Sequence, residues 1–129
     1  FYFHHDRFPL CRLASAGVNV CLGTDSLASV YKSRRQNVEL NLFEEMRALA
    51  KNEPSLSART IVRMATLNGA RALGMNGKIG ELAPDGFADL VALPFAGNVA
   101  DAYDRVLHHH GDVAASLIDG QWAIEPALA

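Results

Sequence analysis

The sequence has no basic excess, no long apolar run and almost no cysteine, and each lack removes a class of function. Twelve Lys and Arg stand against 14 Asp and Glu, a formal charge of -2. The positive footprint of a nucleic-acid binder is therefore missing, and nucleic acid is not an expected partner. No stretch reaches the ~20 apolar residues that would span a membrane, and no basic start leads into an apolar signal segment. Of the two cysteines, Cys11 falls in an expected helix and Cys21 in an expected strand, with no CxxC pair. That usage predicts reduced, buried thiols and a cytoplasmic protein rather than a disulfide framework. There is no Met at position 1, and the chain opens on apolar side chains, Phe1-Tyr2-Phe3, which suggests the interior of a longer polypeptide.

What is present suits a folded domain, since half of the 129 residues are hydrophobic, enough for an ordinary core. "FPLCRLASA" spaces Leu10, Leu13 and Ala14 helically, with Gly17 as the stop. "VNVCLGTD" follows with Val18, Val20 and Leu22 alternating, the mark of a strand that ends on Asp25. The polar run from Ser26 to Val38, with Lys32, Arg34 and Arg35, is expected to be a surface loop.

"VELNLFEEMRALAKN" predicts an amphipathic helix with Leu40, Phe43, Met46, Leu49 and Ala50 on one stripe, ended by Pro54. Ser57 is expected to cap a second helix through Ile61, Val62, Met64 and Ala65, broken at Asn68-Gly69 before a short helical turn to Gly74. Beyond Gly77 the pattern turns to short strands, "IGELAPDG", "ADLVALP", "VAASLID" and "QWAIE", with Asp119-Gly120 as a hairpin turn. The last third is expected to be mostly β.

A carboxylate at a strand end draws notice, because residues at the C-terminal ends of barrel strands face the active site, where Asp25 would serve as a metal ligand or general base. An Asp that caps a helix or makes a turn has the same local sequence, and spacing alone leaves both open.

The stretches "AGVNVCLGTDSLAS" (16–29), "LFEEMRAL" (42–49), "MATLNGARALGM" (64–75), "KIGELAPDGFADLVAL" (78–93) and "LIDGQW" (117–122) resemble the metal-dependent amidohydrolases, in their deaminase and chlorohydrolase branch, and run in that family's order. The resemblance implies an α/β fold: the C-terminal fragment of a (β/α)8 TIM-like barrel, with its last helix and strand and the following helices over 1–76. Part of a small composite β-sandwich would occupy 77–129. It implies that Asp25 ends the eighth strand, binds a divalent metal and exchanges a proton with the attacking water. That metal would be Zn first, with Fe, Mn and Ni the other candidates. The remaining ligands, a His-x-His pair and two single histidines, would precede Phe1.

His4, His5 and Arg7 would then lie in the loop after strand seven and, with Ser26, could contact substrate. Solvated loop residues and local backbone bonding are the simpler roles for them. "HHH" at 108–110 contains a His-x-His, His108 and His110, but it falls in the β-rich part, away from the site, where an exposed or strand-flanking triplet is expected. "VYKSRRQNVE" is longer than the family's usual link at that point, as a lid or an excursion. Phe87 stands where a Lys is common, and Asp89 reads as a turn residue.

The implied function is hydrolytic deamination of a nitrogen heterocycle. A chlorohydrolase, a cyclic-amide hydrolase and a non-catalytic module packed on a partner are the alternatives. The 129 residues alone are expected to be inactive and to associate with themselves or as a homo-oligomer.

Overall fold

The computed structural model describes residues 8–26 and 40–127; everything below refers to those. In chain order they form helices α1 (Leu10–Ser15), α2 (Leu42–Asn52), α3 (Ala58–Ala65) and α4 (Leu67–Ala72), strand β1 (Leu90–Ala92), a 3-10 turn (Val99–Asp101), helix α5 (Ala102–Leu107), and strands β2 (Ala115–Ile118) and β3 (Gln121–Ile124).

The core lies among α2, α3 and α5. Met46, Ile61 and Leu107 meet there, and Ile61 has no exposed surface. Phe43, Leu49 and Ala50, the stripe expected on α2, pack around them. Burying a side chain such as Ile61 contributes about 1.5–3 kcal/mol. Leu40 precedes the helix and is exposed. Both helices start as their sequences dictate: Asn41 accepts from the Glu44 amide at 2.9 Å and Ser57 from the Thr60 amide at 3.1 Å, each satisfying an amide that the first turn leaves without a partner. Gly17 ends α1 at φ +73, where a residue without a Cβ is at no disadvantage.

Other expectations are corrected as well. Val18 to Asp25 forms no strand among the described residues. A strand is defined by a ladder of bonds to a neighbour, which the described residues do not supply; the segment runs extended, with the Val18 amide on Leu13 O and with the Leu22 amide and the Val20 carbonyl bonded at the junction of α3 and α4. Cys11 and Cys21 are exposed free thiols rather than buried ones. The helix break lies at Thr66 (φ −124, ψ −88), and Asn68-Gly69 sits inside α4. The last third is not mostly β, since it contains α5, and "IGELAPDG" folds as turns.

The small sheet is antiparallel in the order β1-β2-β3. Asp119 and Gly120 both take positive φ, 50° and 74°, between β2 and β3, the requirement of the tight hairpin that Asp-Gly encodes. Asp89 accepts from the Asp119 amide at 2.7 Å and so ties that turn to the start of β1. His108 to His110 follow α5 rather than flanking a strand, and His108 and His110 are exposed, as expected of the triplet, while His109 is half-buried. The His109 ring is tilted against Phe43 at 5.4 Å, and its carbonyl accepts from Arg47.

Candidate functional site

Although it lacks a ladder, the segment before Asp25 keeps the two-residue alternation of an extended chain. Val20, Leu22, Thr24 and Ser26 are half-buried, while Cys21, Gly23 and Asp25 are exposed. Leu22 is the inward anchor and packs against the Met46, Ile61 and Leu107 cluster. Alternation sends the Asp25 carboxylate to the opposite side. Its φ of +48 puts a kink where the extended run stops. Asp tolerates the left-handed region better than most residues, and Asp85 and Asp119 do the same.

The backbone of the segment is held by the end of α3. The last four carbonyls of a helix have no partner within it. Val62 O accepts from the Thr66 hydroxyl at 2.8 Å, Arg63 O from the Thr66 amide at 3.3 Å, and Met64 O from the Leu22 amide at 3.0 Å. Asn68 completes the attachment. Its side-chain amide donates to Val20 O at 2.7 Å, and its own carbonyl accepts from the Asn19 side chain at 2.9 Å. The Thr66 break is closed from behind by Gly80, whose φ is +81; a Cβ there would lie 2.8 Å from Thr66 O.

Asp25 is therefore presented outward on a segment fixed by named bonds. His4, His5 and Arg7 lie outside the described residues, as does the whole of the "VYKSRRQNVE" excursion, and with it all of the expected loop from Ser26 to Val38 except Ser26. Ser26 is half-buried beside Asp25. Among the described residues no three His, Cys, Asp or Glu side chains come together as a metal-binding group. The described donors thus amount to one carboxylate and do not by themselves make a metal centre, which normally takes about three protein ligands. Two surface hollows, one beside Cys11 and Arg12 and one between Arg71 and Glu81, are not lined by Asp25. Asn19 and Asn68 were missed at the level of sequence, where Asn68-Gly69 reads as a helix breaker. No helix of the described residues is long and apolar enough to cross a membrane.

Comparison with known proteins gives this arrangement a family. The model of the amidohydrolase family matches residues 1–123. A 5-methylthioadenosine/S-adenosylhomocysteine deaminase of Syntrophobacter fumaroxidans is 38% identical over 130 aligned positions, covering 91% of this chain and 28% of that protein. A 5'-deoxyadenosine deaminase of Methanothermobacter thermautotrophicus is 41% identical over 92 positions, covering 66% of this chain and 19% of that protein. Among solved structures, an adenosine deaminase from Xanthomonas campestris with bound zinc superposes with a TM-score of 0.70 at 31% identity, over 90% of this chain and 28% of that one. Guanine deaminase of E. coli shares the fold at a TM-score of 0.72 and 24% identity, over 96% of this chain and 32% of that one. This chain spans less than a third of the length of these relatives, and it belongs to the amidohydrolase family.

Proposed function

We propose that the chain is the C-terminal portion of a hydrolytic deaminase that replaces the exocyclic amine of a nitrogen heterocycle with oxygen and releases ammonia. An adenosine-type purine is the foremost substrate class. One observation carries this proposal: the similarity to a relative named as a deaminase of adenine nucleosides runs over 91% of the chain. In this picture residues 1–76 contribute the last helix of a (β/α)8 barrel, the extended Val18–Asp25 segment that would pair as its last strand only with strands of the longer protein, and the helices that follow, while 77–129 contribute to a β-sandwich, with α5 returning to pack on α3. Self-association is part of the proposal, supported by exposed Ile118, Trp122 and Ile124 on the sheet. A cytoplasmic location is also part of it, supported by two free thiols.

Asp25 is the residue assigned to chemistry. As water adds to the amidine-type carbon, its carboxylate takes the proton from the attacking oxygen. It then returns a proton to the amine, so that the C–N bond breaks with ammonia as the leaving group. A carboxylate suits both halves of the exchange, and its outward presentation leaves it accessible. A divalent ion, Zn first, would when bound supply acidification of that water, and of the described residues only Asp25 is a candidate to touch it. His4, His5, Arg7 and Ser26 are the candidates for substrate contact.

The test is ammonia release from aminated purines, pyrimidines and triazines by the full-length protein and its Asp25→Asn variant. Loss of a general base costs roughly 10²- to 10⁴-fold in rate, and the substitution keeps the side-chain volume. Turnover of the variant within twofold of the parent would remove Asp25 from the mechanism, and release of chloride in place of ammonia would redirect the reaction class.

A further inference from the structure

We infer that Gly23 sizes the space in which Asp25 meets its substrate, in that the side chain missing one pleat below the carboxylate leaves room for the heterocycle. The inference rests on the catalytic assignment of Asp25 proposed above.

An extended chain sends successive side chains to opposite faces. One face of this segment is fixed by contact: Leu22 packs against the Met46, Ile61 and Leu107 cluster, and Val20 and Thr24 are half-buried with it. Cys21, Gly23 and Asp25 share the other face, and all three are exposed. Pairing with strands of the longer protein would engage the peptide groups along the edges of the segment and leave both faces as they are. Helices form the outer ring of a (β/α)8 barrel, and the strand face turned away from them lines its interior. The face of Asp25 is therefore the interior one, and Gly23 lies about 6.6 Å of extended chain below the carboxylate on it.

Glycine needs a reason here, because it loses more conformational freedom on folding than any other residue and gives an extended segment no side chain to pack. The usual local reasons are absent. Gly23 does not take a positive φ, and the kink of the segment falls at Asp25. An added Cβ would meet nothing within 4 Å among the described residues, whereas at Gly80 and Gly86 it would face backbone oxygens at 2.8 and 3.1 Å. A glycine without such a reason marks a place that another group approaches closely, and this one adjoins the carboxylate. Cys21, one pleat lower, already carries a side chain on the same face, so the room is confined to the level of Gly23. A heterocycle that brings its amidine-type carbon to Asp25 must seat the rest of its ring beside the carboxylate, and the bare backbone at 23 leaves that seat open.

The full-length protein is compared with its Gly23→Ala, Cys21→Ala and Asp25→Asn variants. The readouts are kcat/KM for ammonia release from an aminated purine, the Kd of the corresponding oxo product, and the midpoint of thermal unfolding. For Gly23→Ala, kcat/KM should fall about 10- to 200-fold, the range that one carbon carries in a close-fitting pocket. The product Kd should rise by a like factor, since its binding involves no chemistry. The midpoint should hold or rise, because alanine at an unstrained φ restricts the unfolded chain. Cys21→Ala should leave the product Kd unchanged.

An unchanged kcat/KM and Kd in Gly23→Ala would overturn the inference. So would a lowered midpoint with an unchanged Kd, which would show that the space belongs to a side chain of a neighbouring strand. A Kd shifted as much by Cys21→Ala as by Gly23→Ala would overturn it too, by showing a response of the whole face. If the parent binds none of the aminated or oxo heterocycles, the inference falls with the proposed substrate class. If Asp25→Asn keeps turnover while Gly23→Ala still raises the Kd, the catalytic assignment of Asp25 has failed and the clearance at Gly23 stands.

Discussion

The cluster of α2, α3 and α5 and the segment from Val18 to Asp25 are both built from alternating apolar and polar residues, yet they reach order by different routes. The helices close their own backbone bonds, cap themselves with Asn41 and Ser57, and bury Ile61 completely. The segment has an equally clear pattern, but the described residues offer it no strand to pair with. Among the described residues its order is borrowed through one carbonyl at the end of α3, Met64 O, and through the side chains of Asn19 and Asn68. A periodic pattern thus states which face goes inward in both regions, while only the helical pattern also supplies its hydrogen bonds.

The sharpest way to break this contrast is to empty the helical core. Ile61→Ala should destabilise the protein by about 2–5 kcal/mol in chemical denaturation, because it removes transfer energy and leaves a cavity among Met46, Leu107 and Leu22. A cost below 1 kcal/mol would mean that the cluster is no more self-sufficient than the segment.

Gly80→Ala probes the joint between the two regions. The added Cβ would face a backbone oxygen 2.8 Å away and the residue would be held at φ +81. A non-glycine residue in such a conformation costs about 1–3 kcal/mol. The loss should be accompanied by faster amide exchange at Leu22. Equal stability of the variant would show that the Thr66 break does not depend on this loop.

The smallest effect concerns charge in the first turn of α2, where Glu45 is half-buried beside the exposed Glu44. Burial, and then the neighbouring Glu44 carboxylate, hold the Glu45 carboxyl above its ordinary range. A raised value means that the folded protein binds this proton more tightly than the unfolded chain does. The contribution is therefore fully present below the unfolded value and is lost as pH rises through the folded one. Glu45→Gln should accordingly be slightly more stable than the parent at neutral pH, and the difference should close as pH falls below the ordinary carboxylate range. A variant less stable at neutral pH would reverse the sign and show that Glu45 is held by a favourable partner. Thermal unfolding across a pH series decides between them.

By itself the sequence determined α2 and α3, the Ser57 cap, the Asp-Gly turn and the family, because each depends on residues within a few positions of one another or on text that runs in a fixed order. It also determined that Val20 and Leu22 face inward, whereas Val18, of the same alternation, is exposed. Tertiary structure alone decided that "VNVCLG" pairs with no strand among the described residues, that Cys11 and Cys21 are exposed, that the helix breaks at Thr66 and not at Asn68, and that α5 interrupts the strands of the last third. The physical reason is where the hydrogen bonds close. A helix closes them four residues along its own chain, so its sequence carries its own instructions. An extended segment closes them on whatever lies beside it, and among the described residues that is the junction of α3 and α4, where Asn68 reaches Val20 across 48 positions of sequence.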